Sequence, residues 1–391
     1  MVELPSPAGT GAAEPFLTLD GENQFLLSWL QRDADSVTVA LQLATLGSSG
    51  TWSTPTAIVR STGLFVNWAD FPSVVRLANG RLLAHWLQRN GSGKYSYDVR
   101  LAESNDGGRS WSASVLAHDA NVAAEHGFVT LLPRADSSAD VVFLNGSAAA
   151  PTSAGADAGG EHRGPPMRLA LARWTKEGGI SASPVTLDDR TCDCCQTAAA
   201  VTAKGPVVLY RDRGDDENRD ISVTRLIDGT WTTPRPLHVD GWIIDACPVN
   251  GPAISANGNQ VAAVWFTGAR DTAKVQLSFS TDAGATFGPP IRIDGGVPAG
   301  RVDVELLETG DAVVTWIERT GKDSSEVRAR VVRADGTAEA ALRVAGLTIG
   351  RSTGFPRMVR RGTELALAWT APGTTPATGT IRVATLRVAP R

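Results

Sequence analysis

The stretch FPSVVRLANGRLLAHWLQ (71–88) lies well over PFLTLDGENQFLLSWLQ (15–31). Each reads as a short apolar strand, a polar turn carrying Gly, and a second apolar strand ending in Trp-Leu-Gln. The pair recurs as GFVTLLPRADSSADVVFLNG, TAAAVTAKGPVVLYRD, GPAISANGNQVAAVWFTG, RVDVELLETGDAVVTWIER and FPRMVRRGTELALAWTAP. Aromatic anchors close the second strand at Trp29, Trp86, Phe143, Tyr210, Trp265, Trp316 and Trp369, spaced 51 to 67 residues apart. A fixed period of that length marks a repeat architecture. The count is seven.

Each unit continues into an alternating strand such as YDVRLAES, ISVTRL, VQLSFS or VRARVV, and often a fourth after a Gly-x-x-aromatic turn, as in GTWSTPTAIV. Four short antiparallel strands per repeat predict an all-β, seven-bladed β-propeller in one domain over 1–391. The blades are expected near 15–61, 62–118, 119–187, 188–239, 240–293, 294–345 and 346–391. The last unit runs out after its third strand, so the N-terminal VELPSP is expected to supply the missing outer strand. An open seventh blade, or six blades plus a hairpin, is the alternative.

Net charge is −4 and the pI about 5.8, which speaks against nucleic acid or an anionic membrane surface as partner. No run approaches the roughly 20 apolar residues of a membrane span, so no membrane insertion is expected. The opening MVELPSPAGTGAAEP lacks the basic and apolar regions of an export signal and reads as a mature terminus behind a start Met. A monomeric periplasmic or secreted protein, its signal removed, is expected.

Two segments carry an S-x-D-x-G-x-x-aromatic pattern. SNDGGRSW places Ser104, Asp106, Gly108 and Trp111, and STDAGATF places Ser280, Asp282, Gly284 and Phe287. The pattern suits a self-contained hairpin turn, with Asp accepting backbone N–H bonds and Gly taking a positive φ. It is the Asp-box, and with it the chain resembles the sialidase-like, BNR-repeat propellers. The resemblance implies a blade type, with no activity attached. Sialidases of this kind use an arginine triad, a Tyr nucleophile paired with Glu, and an Asp acid/base; they have six blades and usually a Phe-Arg-Ile-Pro motif. That motif is absent here. Of the three tyrosines, Tyr210 is a blade anchor, while Tyr95 and Tyr97 fall in the polar string GKYSYD. A non-sialidase member is therefore expected.

In a propeller, connections from a fourth strand to the next first strand gather on one face, opposite the Asp-boxes. NWADFP, AAEHGF, RTCDCCQT, DACPVNGP, PAGRVD and GRSTGFP are all of this kind. They bring Trp68, Asp70, Glu125, His126, Cys192, Cys194, Cys195, Cys247, Asn250, Arg301, Asp303 and Arg351 to one mouth of the channel. Cys192, Cys194 and Cys195 lead into the fourth blade and Cys247 into the fifth, so all four sulfurs can meet. They form either a disulfide clasp or a soft-metal or redox site, because thiolates select copper(I) or zinc. His126, His162 or Met167 would favour copper. His85, His118 and His238 are read as structural.

YRDRGDDENRD (210–220) is either a self-paired loop or a source of Arg211 and Arg213 for an anion, joined by Arg301 and Arg351. Calcium is disfavoured, since the EF-hand spacing is absent. The Gly/Ala-rich segment 145–167 is a candidate lid. The leading expectation is an exported metal-binding propeller, copper before zinc. Its rival is a glycan-binding or glycoside-hydrolase-like protein, with Trp68 and Trp242 as sugar platforms and Asp70 and Glu125 as acid and base. A third reading is a scaffold that docks a protein partner.

Overall fold

The computed structural model describes all residues except Gly21, Ser92, 120–121, 148–165, Ile349 and 389–391. Seven antiparallel sheets stand around a central channel. In chain order, β1 (Val2–Leu4) precedes the first blade, which is β2 (Ala12–Leu19), β3 (Phe25–Arg32), β4 (Val39–Leu46) and β5 (Thr56–Ser61). The second holds β6 (Ser73–Arg76), β7 (Leu82–Arg89), β8 (Tyr97–Ser104) and β9 (Val115–Leu116). The third holds β10 (His126–Pro133), β11 (Ala139–Asn145), β12 (Met167–Trp174) and β13 (Val185–Thr191). In the fourth, β14 (Ala198–Thr202), β15 (Gly205–Arg211) and β16 (Ile221–Ile227) carry two fragments, β17 (Thr230–Trp231) and β18 (Arg235–Pro236), in place of one outer strand.

The fifth blade is β19 (Ala253–Asn257), β20 (Gln260–Thr267), β21 (Lys274–Ser280) and β22 (Ile291–Arg292), and the sixth is β23 (Val297–Leu306), β24 (Ala312–Arg319), β25 (Ser324–Val332) and β26 (Leu342–Thr348). The seventh is β27 (Arg357–Arg361), β28 (Glu364–Ala371) and β29 (Thr380–Arg387), completed by β1. Val2 faces Thr385 and Leu4 faces Val383, so the N-terminal strand does close the ring. Strand β13 runs to Thr191, four residues past the expected end of the third blade.

Second strands are buried on both faces because each blade packs against two neighbours. They therefore read as continuous apolar runs, not as a polar/apolar alternation. All seven aromatic anchors are buried. Both S-x-D-x-G-x-x-aromatic segments fold as the predicted turns. Asp106 Oδ1 accepts from the N–H groups of Arg109 and Ser110, and Asp282 Oδ1 accepts from Thr286 N–H. Gly108 sits at φ +88°, where a Cβ would press on Leu43 at 2.6 Å. These turns join third to fourth strands and so lie at the end of the channel away from the cysteine loops.

Three inner strands are bulged at equivalent points. Glu14 in β2, Phe128 in β10 and Arg301 in β23 have φ of 55°, 55° and 56°, at register shifts next to the mouth. Bulges of this kind re-aim side chains and cluster near sites. Each bulged N–H is taken by a neighbouring blade: Phe128 N–H by Asp70 Oδ1 at 2.7 Å, Arg301 N–H by Asn250 Oδ1 at 2.8 Å, and Glu14 N–H by Thr370 Oγ1 at 3.3 Å.

Candidate functional site at the channel mouth

Tyr97 is the largest departure from the sequence reading. Far from lying in a polar loop, it opens β8 with its ring fully buried, stacked on Phe65 at a centroid distance of 4.0 Å. Its hydroxyl lies 3.0 Å from Asp70 Oδ2 and 2.9 Å from Glu125 Oε1. One phenol proton cannot serve two carboxylates, so the second short contact requires a protonated carboxyl. Burial drives this. It raises Asp70 to about 7, against the opposing Phe128 N–H and Tyr97 O–H bonds. Burial likewise raises Glu125 to about 8, with the Asp70 charge adding to it. Tyr97 itself is pushed well above its ordinary value by burial and both carboxyls. Asp70 is almost wholly buried, whereas Glu125 remains partly open to solvent. Gly127 makes the cluster possible: a methyl group there would overlap Asp70 Oδ2 and press on the Tyr97 ring at 2.9 Å.

Beside this cluster the cysteine loop crosses to the next blade. Cys194 and Cys247 form a disulfide with Cα atoms 6.1 Å apart. Cys192 and Cys195 are buried thiols with Sγ atoms 3.3 Å apart, and Cys192 Sγ lies 3.7 Å from Cys194 Sγ. The expected meeting of loops from adjacent blades is therefore present, but a four-thiolate metal set is not: two sulfurs are already bonded to each other. Arg219, which the sequence reading passed over, donates from Nη1 to Cys192 Sγ at 3.2 Å. Burial raises the Cys195 thiol, but the Cys192 S–H, the Arg211 charge and the Asn250 N–H outweigh it and hold Cys195 below the usual thiol range. Cys192 is pushed up by burial and by its contact with Cys195.

His126 does not join the sulfurs. Its Nδ1 meets Tyr97 O at 3.1 Å and its Nε2 meets Ser147 Oγ at 2.8 Å. It also stacks on His118 at 3.7 Å with the planes 3° apart. Parallel rings cannot aim their in-plane lone pairs at one ion, so Asp98, His118 and His126 do not make a ready metal centre despite their proximity. Met167 is buried in the hydrophobic core around the third blade, and His162 lies outside the described residues, as does most of the candidate lid.

The anion-binding set is not assembled either. Arg211 is 2% exposed and spends its guanidinium on the carbonyls of Asn250, Arg219 and Phe266. Arg213 pairs with Glu217, which also holds Arg219 at 2.6 Å, so YRDRGDDENRD is chiefly self-paired. Arg301 donates to Gly350 O, Gly354 O and Thr353 Oγ1 and lies 4.5 Å over the Trp68 ring. Arg351 is exposed on a 3-10 turn. Asn250 braces the Arg301 bulge, and Asp303 accepts Met358 N–H. Trp242 is buried under Arg211 and cannot serve as a sugar platform.

Trp68 keeps an open side. With Glu14, Arg32, Thr370 and Ser352 it lines a cavity of about 230 Å³ between the first and seventh blades. Burial raises Glu14 to about 8, against the pull of the Arg301 and Arg32 charges. Neither Glu14 nor Arg32 was singled out from sequence; the signal was the AAEPF bulge, which aligns with AGRVD around Arg301.

Comparison with solved structures places the fold. An ulvan lyase of polysaccharide lyase family PL25, solved bound to a GlcA-Rha3S glycan, superposes with TM-score 0.58 at 11% identity, over 98% of this chain and 96% of its own. The GH93 α-L-arabinofuranosidase of Fusarium graminearum gives 0.53 at 14%, over 99% and 96%. A Hadza microbial sialidase gives 0.51 at 13%, over 89% and 74%. The fold is that of the sialidase-like propellers. At these identities the likeness is one of fold alone. A protein of unknown function from Dyadobacter fermentans superposes from end to end, with TM-score 0.55 at 13% identity over 100% and 98%. No family profile matches the sequence, and no curated protein is recognisably similar to it.

Proposed function

We propose that this propeller is an exported carbohydrate-active enzyme in which Glu125 is the general acid. The observation that carries the reading is the Asp70–Tyr97–Glu125 cluster: a partly open carboxyl, protonated at neutral pH, set at the mouth of a fold that hydrolases and lyases of glycans also use. Glu125 donates its proton to the leaving glycosidic oxygen. The Tyr97 O–H then holds the carboxylate it leaves behind. Asp70, fixed by Phe128 N–H, orients the phenol and stays clear of the substrate. Tyr97 is too enclosed to attack a sugar, which supports a non-sialidase member. Trp68 and the cavity beside it offer an apolar face for a sugar ring. Export is supported by the Cys194–Cys247 disulfide, which suits an oxidising compartment. Among the described residues no helix is long and apolar enough to cross a membrane.

The test is turnover. Purified protein is assayed on arabinan, on sulfated and unsulfated uronic-acid polysaccharides and on sialosides, following reducing ends and absorbance of unsaturated products. Cleavage of one glycan class, lost in Glu125→Gln while the fold is retained, is the expected result. Cleavage that survives Glu125→Gln, or none on any class, rejects the assignment.

A second reading attaches to Cys192 and Cys195. Two buried thiols 3.3 Å apart beside a third sulfur form a donor set suited to copper(I), which thiolates favour. Titration with copper(I) against a competing chelator should give one equivalent bound in the native chain and none in Cys192→Ser. Equal uptake by both would dismiss it.

A further inference from the structure

We infer that the four cysteines form an internal disulfide relay, in which the bridge moves from Cys194–Cys247 to Cys192–Cys195. The sulfurs are arranged in series. Cys192 Sγ is 3.7 Å from Cys194 Sγ on one side and 3.3 Å from Cys195 Sγ on the other. Cys192 and Cys195 stand in Cys-x-x-Cys spacing, which one disulfide spans without strain in many redox proteins. The nucleophile is prepared as well. Arg219 Nη1 lies 3.2 Å from Cys192 Sγ, placed to hold the charge when Cys192 gives up its proton to attack. Arg219 is itself buried and held by Glu217, so this donor is built into the site.

The exchange balances without an outside oxidant or reductant. In the first step the Cys192 thiolate attacks Cys194 Sγ; a Cys192–Cys194 bond forms, Cys194–Cys247 breaks, and the electron pair leaves on Cys247. In the second, the Cys195 thiolate attacks Cys192 Sγ; Cys192–Cys195 forms and the pair leaves on Cys194. Two protons pass from Cys192 and Cys195 to Cys194 and Cys247. The outcome is a change of site. A buried thiol pair becomes a buried bridge, and thiols appear on Cys194 and Cys247, both of which are only partly buried. The loop before the fifth blade loses its tether to the fourth. The partly buried pair then takes soft electrophiles that reach the enclosed thiols less readily. None of this depends on carbohydrate turnover.

The experiment is trapping with iodoacetamide in the native, full-length, chelator-treated protein without reductant, followed by peptide mapping. The relay gives alkylated Cys194 and Cys247 with a Cys192–Cys195 bridge, faster as pH rises from 7 to 9. In Cys195→Ser the chemistry stops after one step, leaving Cys247 alkylated and Cys192 bridged to Cys194. Arg219→Gln slows trapping by about tenfold, and this variant keeps the inference testable if Cys195→Ser fails to fold. An intact Cys194–Cys247 bridge after hours at pH 9 overturns it. So does alkylation of Cys192 and Cys195 with that bridge in place.

Discussion

Glu125→Gln tests the physics of the mouth independently of any substrate. The substitution keeps the shape of the side chain and an oxygen to accept the Tyr97 O–H, but removes the proton. Burial raises Glu125 from an ordinary 4.5 to about 8 in the folded protein. Between those two values the folded protein keeps a proton that the unfolded chain has lost. The Glu125 contribution to stability must then fall as pH rises through that window, by at most about 1.4 kcal/mol per pH unit. Asp70 shares the same phenol and absorbs part of the charge, so a slope of about 1 kcal/mol per unit is expected. Gln has nothing to lose. The variant should match the wild type near pH 5 and exceed it by about 3 kcal/mol at pH 8. Urea unfolding followed by tryptophan fluorescence at pH 5, 6, 7 and 8 gives the comparison directly. Parallel stabilities across that range would refute the buried-acid reasoning, and so would a variant that weakens with pH more steeply than the wild type.

The double variant Cys194→Ser/Cys247→Ser opens a loop of 53 residues and should lose about 4 kcal/mol, read as a lower urea midpoint. Deleting residues 1–5 strips β1 from β29, together with the Glu3–Arg382 pair; calorimetry should show a loss of about 1–3 kcal/mol. Gly127→Ala drives a methyl into Asp70 and Tyr97 and should cost about 3 kcal/mol, whereas Gly295→Ala, with open space around it, should be nearly silent. A fluorogenic sialoside should not be turned over; turnover abolished by Arg301→Lys would show that sialidase chemistry persists.

Blade number, ring closure and the hairpin turns were legible because each is written locally. The anchors repeat at a near-constant interval, and an Asp-box supplies its own hydrogen bonds within eight residues. The sorting of loops to one mouth followed from strand alternation, and it brought Cys247 to Cys194. What the mouth does with its residues was not legible. Tyr97 opens β8 while Asp70 and Glu125 lie in two connections, and an isolated bridge between Tyr97 and Glu125 across the blades brings them together. Arg211 reads as a free cation beside an anchor, yet three backbone carbonyls consume it. Which sulfurs pair depends on how the two loops meet in space, which spacing along the chain does not encode.

Ring closure by β1 also sets a timetable. Residues 2–4 are made well before their partners at 383–385. At ~5–20 residues per second, the stretch between them takes roughly 20 to 80 s to make. Through that interval the first strand has nothing to pair with, while blades one to six assemble largely from neighbours in sequence. The seventh sheet is thus a lock that turns only when both of its strands exist. A truncated or stalled product would show the open edge of β28 or β29 and a loose N-terminal strand, a ready template for pairing with another copy. One short sheet therefore couples strands made at opposite ends of that interval.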